Sequence, residues 1–546
     1  MRTYCATAAM LIAPHTSQPR GPSMSEITRR NLLAMIGTAA GSTAMYHAMA
    51  SMGFAAPSNY NGPIKLDGDP QGAKVLILGA GLAGLTAAYE MRLAGYEVEV
   101  LEFREKAGGR CWTLRSGDSY TELGGASQNV DFAEGNYINP GPWRLPHSHH
   151  AVLDYCKRLK VPLEPFIQLN YNSYLHKSDA YGGKPQRLKD IKTDYRGHIS
   201  ELLAKAVNQG KLDELVTAED REVLLESLRA FGVLNEQNEY VKSLETSGYR
   251  GYAKQPGGGV SAAPEASDLL NPQEVLQSRL WEYLATHETV DHHAPMFQPV
   301  GGMDGIAKGF EREVGDLITY NAKVVSLQQD ENGVTVTWED SAGGGKKTSK
   351  ADYCVCTIPF SILGQIDHNL SGGLANAISS MYYNGSTKWG LEFKRRFWEE
   401  DEDIYGGISY TDLAIGQISY PSTGYFSEGP GVLLGGYTWR GENSYKFNAM
   451  EPDERLEWAL REGAKIHPQY RDEFKTGVSV AWHKVPWVLG CSGIWENRDD
   501  YDEAIKIDNR VVCAGEHLSY LPAWQEGAIL SSLDAISRLH DKVING

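Results

Sequence analysis

Apolar positions along this chain fall into distinct textures. Lys74-Val75-Leu76-Ile77-Leu78 is an unbroken apolar run ending in glycine, which predicts a strand covered on both faces in a parallel sheet. Leu85 to Ala94 then takes helical spacing, and Glu97-Val98-Glu99-Val100-Leu101 predicts a second strand. Further on, Thr217-Ala218-Glu219-Asp220 offers a capping-box-like start to a helix over 221–232, with Leu224, Leu225 and Leu228 on its apolar side and Gly232 as a stop. Gly248 to Gly259 predicts a flexible glycine-rich connection, because no strand leads into it. Thr387 to Trp398 alternates as a strand does, and Ala151 to Tyr155 opens a helix.

Composition narrows the function classes. Of 546 residues 42% are hydrophobic and 10% aromatic, enough for sizeable cores in two to four domains. The 52 Lys and Arg against 69 Asp and Glu give a net charge of −17, which argues against a nucleic-acid footprint, since that needs a concentrated basic face. Seven cysteines show neither metal-knuckle spacing nor disulfide-scaffold density. Cys354-Val355-Cys356 is expected to send its two thiols to opposite strand faces, and no metal site is expected anywhere.

The first residues read as an address. Thr28-Arg29-Arg30-Asn31-Leu32-Leu33, followed by a mild Ala/Gly/Ser/Thr-rich run to Ala50, is a twin-arginine export pattern, which implies a periplasmic or secreted protein. Met24 leaves residues 1–23 as an upstream extension or a propeptide. No later stretch supplies the ~18 consecutive apolar residues of a membrane span, so no membrane anchor is expected.

The turn Gly79-Ala80-Gly81-Leu82-Ala83-Gly84 joins the first strand to its helix as a dinucleotide-binding fingerprint. Gly79 permits the tight turn, Gly81 lets backbone amides approach a pyrophosphate, and Gly84 lets helix and strand pack closely. Glu102, about twenty residues on, is placed for a ribose. NAD and FAD are equally allowed by these residues.

The adjoining segment separates the two cofactors. Glu102-Phe103-Arg104-Glu105-Lys106-Ala107-Gly108-Gly109-Arg110 resembles the second flavin motif of the flavin monoamine oxidase family. In that family Gly109 and Arg110 would face the FAD pyrophosphate, and a guanidinium fork suits a diphosphate. The resemblance continues through Tyr320 to Leu327, which carries Val324 over as a cofactor contact, and through Gly333 to Thr337 and Ala351 to Pro359. It closes on Arg510 to His517 and Trp524-Gln525-Glu526-Gly527-Ala528, where it implies Gly515 and Glu516 at the cofactor and Trp524 as a wall of the flavin face. Some relatives attach the flavin through a cysteine just before that Trp; Leu518 to Ala523 holds none, so noncovalent FAD is expected.

The implied fold is α/β + α: a discontinuous Rossmann-like FAD domain, a mixed-sheet substrate domain and a helical insertion. The expected segments are 1–56 (signal), 57–73 (linker), 74–150, 296–362 and 501–546 (FAD-binding), 151–295 (substrate and helical) and 363–500 (substrate).

Gly141-Pro142-Trp143-Arg144-Leu145-Pro146 resembles the arginine motif of the L-amino-acid oxidase branch, near bacterial phenylalanine oxidase and tryptophan 2-monooxygenase. There Arg144 would bind the substrate carboxylate, as a charge entering an apolar pocket requires. Lys388 lies in a segment like the family's lysine segment, where an ammonium assists oxygen reduction. His147, His149 and His150 show no nearby acid or cysteine partner and are expected to pack or face solvent rather than hold a metal. The resemblance thus implies oxidative deamination of L-amino acids, aromatic or broadly apolar, with molecular oxygen, to a 2-oxo acid, ammonia and hydrogen peroxide. An amino-acid monooxygenase, a monoamine or polyamine oxidase, and a flavin-free binding protein on the same fold are the alternatives. A homodimer or larger homo-oligomer is expected.

Overall fold

The computed structural model describes residues 58–209, 217–260, 262–439 and 441–546, so the twin-arginine segment lies outside the described residues. The strand Lys74–Leu78 is enclosed, with Val75 through Leu78 at 0% exposure, as its unbroken apolar character requires. It sits inside a six-stranded sheet ordered Ile318–Thr319, Glu97–Leu101, Lys74–Leu78, Tyr353–Cys356, Val511–Cys513, Ile507–Asp508. The first five run parallel and the last antiparallel. From Lys74–Leu78 the chain moves to a neighbour on one side and comes back much later on the other. Such a reversal opens a crevice at the carboxyl ends of the strands.

One face of this sheet is covered by the helices Leu82–Leu93 and Gln525–Asn545, whose Leu85, Met91, Ile529 and Ile536 pack with Val75 and Ile77. The opposite face packs on the four-stranded sheet that contains Ala322–Gln329 and Val334–Asp340. Here one expectation is corrected. Cys354 and Cys356 share a face, because residues two apart on a strand point the same way. Both thiols join Leu76, Leu78 and Cys513, while Val355 alone turns toward the helices. All six cysteines among the described residues are free thiols.

A second, seven-stranded sheet runs Gln186–Arg187, Tyr174–His176, Ile408–Thr411, Gln417–Ser419, Gly431–Trp439, Ser386–Phe393, Phe474–Ala481. It is mixed, because Ile408–Thr411 lies parallel to Tyr174–His176 and the other pairs are antiparallel. Ser386–Phe393 is buried at every position rather than on alternate ones. Trp389, Leu391 and Phe393 build one core with Phe447 and Tyr470. On the other face Gly390 lies under Ile138, where a Cβ would come within 2.8 Å, and Glu392 accepts hydrogen bonds from Ala133 N and Asn136. The alternation in sequence is real, but its polar face is also covered. The strand stops at Phe393; Phe397–Glu400 is a short helix.

Helices occupy much of the stretch between these sheets. Leu188–Asn208 is the longest, and Ala218–Gly232 packs beside it, closed at its start by the reciprocal Thr217–Asp220 capping box. Leu244–Arg250 takes in the first three residues of the glycine-rich stretch expected to be a loop, because Ser243 and Thr246 cap it. The 3-10 helix Leu280–His287 and the one-turn segment Val290–His292 then lead toward the crevice. No helix among the described residues is long and apolar enough to cross a membrane.

Candidate functional site

The glycine turn forms as expected, with the helix opening three residues early at Leu82 because Gly81 serves as its N-cap. Gly79 adopts φ +99°, and its N–H reaches Leu101 O at 2.8 Å. Gly84 is set back from the cavity lining; a Cβ there would lie 1.9 Å from Gly79 O, so it lets helix and strand touch, the packing role its spacing suggests. Gly81 differs again, since nothing lies within 4 Å of the place a Cβ would take. The first helical turn carries neither a side-chain cap nor an acid, so its N–H groups and dipole face the cavity.

Gly108 and Gly109, both at positive φ, bring the second loop against the first: Gly108 N donates to Ala80 O at 2.8 Å, and a Cβ on Gly109 would stand 3.2 Å from Gly81 Cα. Glu102 is buried and accepts from Ala80 N at 2.6 Å and Arg104 N at 2.9 Å, while burial pushes its carboxyl pKa up. Arg110 donates from Nη1 to Cys491 O and to Glu516 Oε1, each at 2.6 Å. Glu516 also accepts from Gly493 N and Ala523 N. Burial works against its ionisation, but Arg110 and the Ala523 N–H outweigh burial and hold it below the ordinary carboxylate range. Gly515, at φ +148°, leaves room for the His517 ring, which a Cβ would meet at 2.5 Å.

One cavity joins this cradle to an aromatic chamber. Its lining includes Gly79, Gly81, Glu102, Gly109 and Arg110 from the first chain segment, Val324 from the middle, and Gly515 and Glu516 from the end. Arg144, Lys388 and Trp524 line the same cavity. The open glycine cradle, the uncapped helix start and the Arg110–Glu516 pair suit a dinucleotide diphosphate with an attached ring system, so the residues fit FAD.

In the chamber Lys388 is 4% exposed. Its Nζ donates to Gly141 O and stands 3.9 Å from the Trp143 ring centre and 4.5 Å from that of Tyr437. Burial first, and the charge of Arg144 as well, push its pKa well down. Arg144 lies over Trp143 at 4.5 Å, donates to Gln168 Oε1 at 2.9 Å and meets His292 Nε2 at 2.7 Å. A guanidinium only donates, so His292 Nε2 accepts and the ring proton sits on Nδ1, 2.9 Å from Thr289 Oγ1. Trp524, the N-cap of the last helix, meets the His149 ring edge-on at 4.8 Å.

The histidines at 147–150 depart from expectation at one point. An acid partner does reach His149: Asp291, distant in sequence, brings Oδ1 to 3.7 Å from its Nε2. His149 is buried, His150 is exposed, and His147 stacks on His293. No group of three side chains able to hold a metal ion occurs among the described residues. Sequence reasoning missed Tyr437, Gln168, Asp291 and His292. Only Trp143, next to Arg144, carried a local signal.

Comparison with known proteins bears on this arrangement. A family model described as flavin containing amine oxidoreductase matches residues 82–539. The chain is 29% identical over 476 residues to the putative L-amino-acid oxidase YobN of Bacillus subtilis, spanning 84% of this chain and 93% of that one. It is 29% identical over 484 residues to an L-amino-acid oxidase of Siganus canaliculatus, spanning 86% of each. Among solved structures, putrescine oxidase bound to putrescine superposes with a TM-score of 0.56 at 15% identity, over 87% of this chain and 99% of that one. Cyclohexylamine oxidase from Brevibacterium oxydans gives 0.56 at 16% identity, over 86% and 99%. These likenesses place the fold among mixed α/β amine oxidases.

Three buried imidazoles have a measurable consequence. Burial pushes His287 and His517 down to about 4, and burial with the neighbouring Arg144 charge pushes His292 well below its ordinary value. All three are therefore neutral when folded and regain a pKa of about 6.5 when unfolded. The unfolded chain then binds more protons as pH falls, so their share of stability is intact above about pH 6.5 and is lost between there and about pH 4. The urea midpoint is expected to fall from pH 7 to pH 5, less steeply in His292→Asn. A midpoint constant over that range, or an equal slope in the variant, would contradict this.

Proposed function

The chain belongs to the flavin containing amine oxidoreductase family, and from that premise we propose that it is an FAD-dependent L-amino-acid oxidase. The observation that carries this reading is Arg144: a guanidinium held by Gln168 and a neutral His292, in the cavity that also contains the glycine cradle, Lys388 and Trp524. Amines without a carboxylate offer such a group nothing to bind, which separates this reading from a monoamine or polyamine oxidase. That curated relatives carry the L-amino-acid oxidase name over most of their length supports it.

In this reading Gly79, Gly81, Gly109 and the start of Leu82–Leu93 hold the FAD diphosphate, and Glu102, Val324, Gly515 and Glu516 hold the rest of the cofactor. Bound FAD supplies a two-electron acceptor that oxygen can recharge. Arg144 grips the substrate carboxylate and fixes the Cα–N bond against the aromatic wall of Trp143, Tyr437 and Trp524. Those rings exclude water and take apolar side chains, and they also suit the alkyl stem and charged end of a basic one. Lys388, with its pKa pushed down, holds or releases a proton at Nζ where oxygen is reduced. Overall an L-amino acid, oxygen and water give a 2-oxo acid, ammonia and hydrogen peroxide.

The deciding assay gives the purified protein a panel of L-amino acids, their D-isomers and the matching decarboxylated amines. Peroxide and 2-oxo acid are expected from L-isomers alone, with kcat/KM falling roughly 10²-fold or more in Arg144→Ala. Amine oxidation indifferent to Arg144 would point to an amine oxidase, and amide with carbon dioxide to a monooxygenase.

Lys388→Met is expected to slow the reaction of reduced enzyme with oxygen by on the order of 10²-fold, while anaerobic reduction by the amino acid changes far less; equal slowing of both half-reactions would remove Lys388 from the oxygen step.

Noncovalent binding is expected to show as free flavin in the supernatant after acid precipitation. Two thiols, Cys111 and Cys491, line the cavity, and flavin retained on a peptide containing either one would overturn this expectation.

A further inference from the structure

Asp291 is a buried acid in the substrate end of the cavity, and neither carboxylate binding nor oxygen reduction makes use of it. It sits in the one-turn segment Val290–His292, directly before the histidine that contacts Arg144. It is 2% exposed and lines the cavity with Arg144, His292 and Trp524. Its Oδ1 meets no hydrogen-bond donor among the described residues. The nearest side-chain nitrogen paired with it, His149 Nε2 at 3.7 Å, is beyond hydrogen-bond reach and is itself without a hydrogen-bond partner. A buried carboxylate left in this state is costly and calls for a cationic donor.

Resting on the reading of this cavity as an L-amino-acid oxidase site, we propose that Asp291 selects substrates with a cationic side chain, a guanidinium or an ammonium. Arg144 and Asp291 then serve the two charged ends of one molecule. The α-amine is a poor alternative partner, because oxidation proceeds from the neutral amine and a carboxylate beside it would hold it protonated. The walls suit the same ligand: Trp143, Tyr437 and Trp524 offer faces on which an alkyl stem packs and a guanidinium or ammonium is attracted. Without the carboxylate, these rings would favour aromatic and aliphatic side chains.

L-Arginine and L-citrulline have nearly the same shape and differ in the charge of the side-chain end, so they test this on the unaltered enzyme. Wild-type kcat/KM is expected to favour L-arginine over L-citrulline by at least 30-fold. In Asp291→Asn that ratio should fall toward one, the loss falling most heavily on L-arginine. Wild-type enzyme that turns over L-citrulline or L-phenylalanine as well as L-arginine overturns the inference and leaves the oxidase reading standing. So does an Asp291→Asn loss shared equally by all substrates, which would make Asp291 a support for His149 and Trp524. If no L-amino acid yields peroxide, both readings fall together. Should Asp291→Asn fail to fold, the wild-type arginine and citrulline comparison still decides.

Discussion

The contact between Arg110 and Glu516 holds together parts of the chain that lie far apart in sequence. Both are enclosed, at 23% and 6% side-chain exposure, and two further backbone N–H groups converge on the same carboxylate. Removing Arg110 would leave the buried Glu516 carboxylate without its cation, a loss on the order of 3–5 kcal/mol. The pair ties the Gly108-Gly109-Arg110 loop to the segment that delivers Trp524, and through Cys491 O it also fastens the approach to the second sheet. The cradle and the chamber are therefore built around one ion pair rather than one continuous element.

A second constraint is the crowding of positive charge beside Trp143. Arg144 keeps its proton at any accessible pH, so the strain of the arrangement falls on Lys388 and His292, both pushed toward their neutral forms by burial and by Arg144. Under the proposed function this pocket binds an anion at one point and holds neutral nitrogen at two others, and a single fixed cation serves both ends. The neutral acceptors Gln168 and His292 position that cation without cancelling it.

What could be read from sequence was what is local. The strand Lys74–Leu78, its glycine turn and the Thr217–Asp220 cap declare themselves through spacing and residue type over a few positions. Lys388 shows where reading became harder, since alternation identified its strand but not that both faces are covered. Asp291, His292 and Gln168 arrive from short turns or extended chain without periodicity, and their neighbours in space lie far off in sequence. The acid that reaches His149, Asp291, is invisible in the local sequence for that reason alone. Cys354 and Cys356 obey strand parity rather than the expected split, both lying with Leu76 and Leu78 on one face.

Trp524 is the N-cap of a 21-residue helix that ends one residue short of the last one described. At 1.5 Å per residue that helix carries the chain about 30 Å from the chamber wall it begins on. Ser58 behaves oppositely: its N–H bonds Ser148 O, one residue from the His149 ring that Trp524 touches. The two ends of the described chain are thus unequal places to attach anything. A label or surface linkage at Gly546 would stand a full helix away from the chamber, whereas one at Ser58 itself would sit beside it.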